Sequence, residues 1–180
     1  MKRGFTLIEL LIVIGILAIL ATVAVLVLNP AEILRQARDS QRISDLSSIK
    51  SAIAMHLSTG TTPSTAFGAT TSTCTITAAS TTFATVSCAT GVVKTSSSTV
   101  VTGLGWVNVN LVDTSGGAAL GSLPLDPTNS ANYFYAYIGS PSDNTFKIDT
   151  WLESTKYSPM AGSDGGTSTT MYEVGTKMAL

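Results

Sequence analysis

The first part of the chain contains one long hydrophobic segment. From Leu10 to Leu28 there are 19 residues with no charge and a single polar side chain, Thr22. At about 1.5 Å per residue, a helix of this length nearly crosses a hydrocarbon core about 30 Å thick. The segment extends back to Phe5 with few interruptions. The pattern therefore predicts a transmembrane helix over residues 5–28.

A second hydrophobic pattern follows, with a different period. Between the two patterns, Asn29-Pro30-Ala31-Glu32 has the order of an N-cap, a first-turn proline and an acid, which predicts a helix restart or a kink. Gly60 is a natural helix terminator. We expect one long helix whose second half, residues 29–59, is amphipathic and presents one apolar stripe to a globular head. The stripe residues recur every three or four positions: Ile43, Leu46, Ile49, Ile53 and Leu57.

The charged residues of the amphipathic segment fall between the stripe positions. Their spacing allows the pairs Arg35–Asp39 and Arg42–Asp45 on the helix surface. We therefore expect the whole charged set to occupy the remaining surface of the helix: Arg35, Arg38, Asp39, Arg42, Asp45 and Lys50.

The middle of the chain is poor in charge and rich in Ser and Thr. Lys94 is the single charged residue between Ser51 and Val112. β-Branched runs such as Thr99-Val100-Val101 favour strands and loops over helix. We expect a long surface loop region followed by strands, with core material supplied by Trp106, Val107, Val109 and Leu111.

The C-terminal part has the signals of a small antiparallel sheet. Residues 133–138 form an aromatic-rich strand pattern, and residues 146–152 alternate well enough for the returning strand. Residues 139–144 between them are typical of a hairpin connection, and 172–175 of an edge strand or a packed loop. The predicted fold class is α+β: a long N-terminal helix packed on a small antiparallel β-rich head, residues 60–180.

Composition and charge exclude some functions. The chain has 10 basic and 11 acidic residues, and only 12% of its residues are charged. This balance argues against a basic nucleic-acid binder, so no nucleic-acid partner is expected by default. Because 44% of the residues are hydrophobic, the chain is also unlike a charge-rich disordered protein.

The sequence contains no catalytic constellation. His56 is the single histidine, and neither a G-x-S-x-G elbow nor a P-loop is present. Asp126, Asp143 and Asp164 raise a calcium hypothesis, but too few acids cluster to fill six or more oxygen positions. We therefore predict neither an enzyme, nor a cofactor, nor a metal site.

Cys74 and Cys88 are the two cysteines of the chain, and both follow the hydrophobic segment. In an oxidising compartment we expect them to form a disulfide that closes a loop of about 15 residues. Two free thiols and a metal site are the alternatives, although two cysteines with one distant histidine are a poor zinc set.

The N-terminal leader and one acid need explanation. Lys2 and Arg3 predict that the N-terminus stays cytoplasmic and that the chain after Leu28 is translocated. The apolar segment is longer than that of a signal peptide, and no A-x-A site follows it. Glu9 lies near the start of the predicted transmembrane helix. Placing its charged carboxylate in the bilayer costs a few kcal/mol of free energy unless the carboxylate has a partner. Its own helix N-terminus is one candidate partner.

The stretch Gly4-Phe5-Thr6-Leu7-Ile8-Glu9-Leu10-Leu11-Ile12-Val13-Ile14 resembles the class III leader and N-terminal helix of bacterial type IV pilins and type II secretion pseudopilins. The resemblance covers residues 1–58 well. It implies that residues 1–4 are a leader and that a prepilin peptidase cuts between Gly4 and Phe5. It further implies that the Phe5 amine is N-methylated and that subunits stack their helices into a filament.

The resemblance also implies a partner for Glu9. After cleavage, the Phe5 amine of one subunit can pair with the Glu9 carboxylate of the next, and such a pair is strong in a low dielectric. The implied partners are identical subunits in a helical homopolymer, the prepilin peptidase, an inner-membrane assembly platform and the membrane. The implied location is the inner membrane, followed by an extracellular pilus or a periplasmic pseudopilus.

Three functions stay open at this point. The first is a structural subunit of a type IV pilus, which the hydroxyl-rich, weakly charged middle region favours because it suits an exposed filament surface. The second is a pseudopilin of a type II secretion or DNA-uptake system. The third is a membrane-anchored binding module that never polymerises.

Overall fold

The computed structural model describes residues 4–58, 72–75, 93–96, 98–112 and 116–177. The chain divides into two compact units, Met1–Arg35 and Gln36–Leu180. The boundary between the units lies inside the second helix, which begins at Pro30.

Two helices form the N-terminal part of the described chain. Helix α1 spans Leu7–Leu28 and helix α2 spans Pro30–Ser58. Asn29, between them, adopts a left-handed conformation with φ of 40° and ends α1. Pro30 lacks a backbone N–H and favours a first helical position, so α2 begins there. The predicted helix restart at Asn29-Pro30 is confirmed.

The apolar stripe of α2 packs in the second unit, as predicted. Leu46, Ile49 and Ile53 are fully buried, and Ile43 and Leu57 are partly buried. The predicted surface position of the charged set is wrong for three members that flank the stripe, because each is buried on the same face: Asp39, Arg42 and Asp45.

The predicted ion pairs along the helix are also wrong. Arg35 lies 3.8 Å from Glu32 and not against Asp39. Arg42 binds Asp39 at 2.8 Å, and its other partners come from the head. Spacing along a helix shows which side chains can meet, but it does not include carboxylates that the fold brings in from elsewhere in the chain.

Arg42 is the centre of a buried ionic cluster. Its guanidinium donates to both carboxylate oxygens of Asp126, at 2.6 and 3.1 Å, and to Thr128 Oγ1 at 3.1 Å. It also lies 2.6 Å from Glu153 Oε1. Burial alone would lower the pKa of Arg42, but the hydrogen bonds with these carboxylates raise it above its ordinary value. The cluster thus attaches α2 to two separate loops of the head.

Asp39 strengthens this attachment through the backbone of the head. Its carboxylate accepts hydrogen bonds from the N–H groups of Glu153, at 3.0 Å, and Ser154, at 2.7 Å, and from the Ser154 hydroxyl at 2.6 Å. Arg38 adds a bidentate contact with Glu153, at 2.6 and 2.9 Å. Because buried backbone donors need acceptors, the segment after residue 152 is held in place by the helix.

The head contains a five-stranded sheet with the order β2-β1-β3-β4-β5. Four strands pair antiparallel, and β2 pairs parallel with β1 at one edge. The α+β fold class is therefore confirmed. The strands are β1 (Ser72–Cys74), β2 (Val93–Thr95), β3 (Tyr135–Ser140), β4 (Thr145–Thr150) and β5 (Tyr172–Gly175).

The predicted hairpin is present in the second unit. Strands β3 and β4 pair with Tyr137 opposite Ile148, and residues 141–144 connect them. Asn144 has φ of 56°, a left-handed conformation that asparagine tolerates in turns. The tail forms β5 against β4, with Val174 opposite Ile148, so the edge-strand alternative for residues 172–175 is confirmed.

The core lies between α2, one face of the sheet and the segment 98–112. The predicted core contribution of this segment is confirmed, because Trp106 and Leu111 are fully buried. The expectation of strands there is wrong: within residues 98–112 one isolated bridge joins Thr102 and Asn110. The backbone of this segment passes very close to itself at Gly105, where a Cβ would overlap the Val100 carbonyl oxygen.

Candidate processing and assembly site

The N-terminal residues precede the first helix in an exposed stretch. Thr6 has extended backbone angles, and residues 4–6 lie outside helix α1. The side chain of Phe5 is 87% exposed, and a Cβ at Gly4 would meet no other atom within 4 Å. The Gly4–Phe5 peptide bond is therefore accessible in this chain, which is what a cleavage site requires.

Thr6 and Glu9 form a capping box at the start of α1. The Thr6 hydroxyl accepts a hydrogen bond from the Glu9 N–H at 3.3 Å, and Glu9 Oε2 accepts from the Thr6 N–H at 2.9 Å. The Thr6 hydroxyl also donates to Oε2 at 2.9 Å. Two backbone donors at the helix start are satisfied in this way.

Thr6, which interrupts the apolar segment, is not among the site residues predicted from the sequence. The signal was present, because Thr-x-x-Glu before an apolar run is the pattern of a capping box. Both hydrogen bonds that the Glu9 carboxylate accepts from Thr6 end on Oε2. The cap therefore does not require Oε1.

Apart from Glu9 in its first turn and Thr22, helix α1 has apolar residues on every side. Exposure of its larger side chains runs from 48% at Val13 to 81% at Leu7. A helix that is hydrophobic on every side is normally buried in lipid or in protein. Among the described residues, the helical stretch Leu7–Ser58 is the one long and apolar enough to cross a membrane by length and composition. The exposed apolar side chains of α1 are therefore not covered within the single chain.

Of the two cysteines in the predicted disulfide, the structure describes Cys74. Cys74 is fully buried on strand β1, and none of the described cysteines is free. Cys88 lies outside the described residues, so its pairing with Cys74 stays a prediction.

The other candidates lie apart in the head. His56 is buried on α2. Asp126 is held by Arg42, Asp143 lies 2.9 Å from Lys177 Nζ, and Asp164 accepts backbone hydrogen bonds. Over the described parts of the chain, no three His, Cys, Asp or Glu side chains are grouped so that they could hold a metal ion.

Comparison with known proteins identifies the N-terminal region. Residues 1–25 match the family model described as the prokaryotic N-terminal methylation motif. No curated protein and no solved structure matches the chain. The matched motif is the class III prepilin leader of type IV pilins and pseudopilins, which confirms the resemblance seen in the sequence.

The motif supports a coarse functional assignment. It supports a type IV pilin-like or pseudopilin protein, a structural type of protein. Such a leader implies processing by a prepilin peptidase and assembly into filaments. Together with the apolar α1, it fits membrane anchoring before assembly.

Proposed function

We propose that this chain is the structural subunit of a type IV pilus filament. A prepilin peptidase cuts between Gly4 and Phe5, the new Phe5 amine is methylated, and the subunits polymerise through their N-terminal helices. The observation that carries the proposal is the methylation motif at residues 1–25, which covers the leader and most of helix α1, a helix whose large apolar side chains are exposed. Neighbouring helices would supply the cover that the single chain lacks.

The capping box gives Glu9 two compatible tasks. Oε2 accepts from Thr6 within the chain, and Oε1, which the cap does not use, would accept from the cationic Phe5 amine of an adjoining subunit. An unpaired charge in an apolar filament core is costly, so pairing favours the axial register in which every amine meets a carboxylate.

The partners follow from this sequence of events. They are identical subunits, the prepilin peptidase, the membrane and an inner-membrane assembly platform. The chain begins in the inner membrane and ends in an extracellular filament. The hydroxyl-rich, weakly charged middle region suits a filament surface exposed to solvent. A pseudopilin of a secretion or DNA-uptake system is the alternative with the same N-terminal chemistry.

Variants at Glu9 and Thr6 separate pairing from capping. Glu9→Gln keeps a side chain that can complete the capping box but removes the charge. Thr6→Ala removes the cap hydroxyl and keeps the charge. We expect both variants to insert into the membrane, and we expect Glu9→Gln to lose much more filament than Thr6→Ala when sheared filaments are quantified. Normal filament yield from Glu9→Gln would contradict the pairing role.

Mass spectrometry of the mature protein tests processing and location. We expect an N-methylated Phe5 as the first residue in filaments sheared from cells. A mature protein that still begins at Met1 would exclude assembly and favour the non-polymerising membrane module. A processed protein that is missing from every extracellular filament would favour the pseudopilin.

A substitution at the cleavage site supplies the matched control for processing. Gly4→Leu should block cleavage, because the leader motif places the cut after Gly4. If Gly4→Leu is cleaved like the natural chain, the processing site lies elsewhere.

A further inference from the structure

A buried lysine lies between two buried carboxylates on the second face of the sheet. Lys147 and Asp149 alternate with Ile148 on β4, so their side chains leave the face opposite the α2 core. Lys147 Nζ is 2.9 Å from Glu173 Oε1 on β5 and 3.5 Å from Asp149 Oδ2. Lys147, Asp149 and Glu173 are 5%, 1% and 1% exposed. A strongly hydrated ammonium group is therefore held out of water against two carboxylates.

The carboxyl group of Glu173 is fixed from its other side. Oε2 accepts a hydrogen bond from the Ser168 N–H at 2.7 Å. The backbone N–H of Glu173 donates to Asp164 Oδ2 at 2.7 Å. The backbone packs so closely here that a Cβ at Gly166 would overlap the Glu173 carboxylate. The loop between the 3₁₀ helix, Ser158–Gly162, and β5 thus orients the carboxyl group.

We propose that Lys147 and Glu173 form an intramolecular isopeptide bond. The arrangement holds the parts that such a condensation needs: an amine nucleophile, a carboxyl electrophile, a backbone donor at the developing oxyanion and a neighbouring carboxylate to carry a proton. Close placement of the two reacting groups replaces a bimolecular encounter. The inference does not depend on the proposed filament role, because the reaction takes place within one head.

The reaction balances without an added reagent. The Lys147 ammonium gives one proton to Glu173 Oε1, which leaves a neutral amine beside a neutral carboxylic acid. Nζ attacks Cδ of Glu173, and the negative charge that develops on Oε2 is stabilised by the Ser168 N–H. Asp149 takes one proton from Nζ and delivers it to Oε1. Oε1 then leaves as water, Oε2 becomes the amide carbonyl oxygen, and Asp149 is again a carboxylate.

The consequence of the bond would be mechanical. Strand β5 is paired with β4 and carries the end of the described chain. A covalent link between these strands would keep β5 and the loop before it attached even when the backbone hydrogen bonds open.

Tryptic mapping of the purified full-length chain tests the bond. Trypsin does not cut after an acylated lysine, so the link would join residues 95–156 to residues 157–177 in one product, lighter than the two peptides together by one water molecule. We expect this product to be the main species. If Lys147 is cut normally and residues 148–156 are released as a free peptide, the proposal is wrong.

Matched controls distinguish this site from chance proximity. Lys177 Nζ lies at the same 2.9 Å from Asp143, but both side chains are 47% exposed, so we expect normal cleavage after Lys177. Lys147→Arg keeps the cation and should abolish the linked product, while Asp149→Asn should reduce its share at least tenfold. A product that links Lys147 to Asp149 would overturn the assignment of Glu173. The wild-type digest decides by itself if a variant does not fold.

Discussion

Residues 4–35 and residues 36–177 place their polar and apolar groups in opposite ways. In the first region Phe5 is 87% exposed, and the surface of α1 is apolar apart from Glu9 and Thr22. In the second, Arg42 and Asp39 are fully buried, and Trp106 and Tyr135 form the core beside them. The first region exposes apolar side chains to its surroundings, whereas the second buries both apolar side chains and charged ones.

The difference shows where each region finds its stabilising contacts. The head satisfies its buried charges and its apolar side chains from within one chain, as a folded domain does. The N-terminal helix has satisfied backbone groups, but its apolar side chains are exposed in the single chain, which fits membrane anchoring before assembly. Four measurements would break or sharpen this contrast.

The largest effect should follow the loss of Arg42. Arg42→Ala leaves Asp39, Asp126 and Glu153 buried without their shared cation, which typically costs about 3–5 kcal/mol of unfolding free energy. Arg35→Ala on the same helix removes the long contact of a half-exposed arginine with Glu32 and should cost about 0–1 kcal/mol. Denaturant unfolding of the full chain in detergent, followed by tryptophan fluorescence, measures both. Equal losses would show that burial of the charges is not what distinguishes the head.

Truncation of Trp106 should have an effect of similar or slightly smaller size. Its indole N–H donates to the Pro124 carbonyl at 3.0 Å, and its ring lies 5.8 Å from that of Tyr135. Trp106→Ala should cost about 3–5 kcal/mol, because a large cavity replaces a fully buried ring. Leu104→Ala in the same segment, where the side chain is 75% exposed, should change stability by about 0.5 kcal/mol or less. Thermal unfolding compares the two, and a matching pair of values would mean that the segment is not part of the core.

Acid should weaken the head through the same cluster. Burial alone would raise the pKa of Asp126, but hydrogen bonds from Arg42 and Thr128 outweigh it and lower the pKa. Hydrogen bonds from Arg38 likewise lower the pKa of Glu153. Both groups therefore stabilise the head above their ordinary values of about 3.9 and 4.3, and this contribution is lost as the pH falls below them.

The pH dependence should change when Arg42 is absent. In the natural chain we expect the unfolding free energy to fall as the pH drops below about 5. Burial raises the pKa of Asp45, so its protonation opposes this trend in part. In Arg42→Ala the carboxylates lose their cation, and the fall should become smaller or change sign. If the unfolding free energy depends on pH in the same way in the two proteins, the acid sensitivity does not come from this cluster.

The smallest effect concerns Gly15 in the exposed helix. A Cβ there would meet no atom within 4 Å of the single chain. Gly15→Ala should therefore favour the helix by up to about 1 kcal/mol, which circular dichroism in detergent can detect. If filament yield falls while helicity rises, a neighbouring subunit packs against this position. Unchanged yield would place Gly15 away from the subunit contacts.

Local patterns were sufficient for several elements. The apolar run, the Asn29-Pro30 break and the alternation around Tyr137 and Ile148 each depend on neighbours within a few residues, and the helices and the hairpin follow them. The capping box at Thr6 belongs to the same class of local signal.

Other features depend on residues that are distant in the sequence. Arg42 and Asp126 are 84 positions apart, and nothing in the spacing of the helix predicts that the charge is buried. Trp106 lies in a segment, residues 98–112, that forms no strand, and its burial likewise depends on contacts with α2 and the sheet.

The sequence alone determined the membrane-length helix, the α+β class and the leader that the methylation motif identifies, because short-range periodicity and a short linear motif encode them. Tertiary structure alone decided which charges enter the core and brought Lys147 to Glu173 across two strands. The energy of a buried charge depends on groups that folding assembles from distant positions, so it could not be read from the pattern of any one segment.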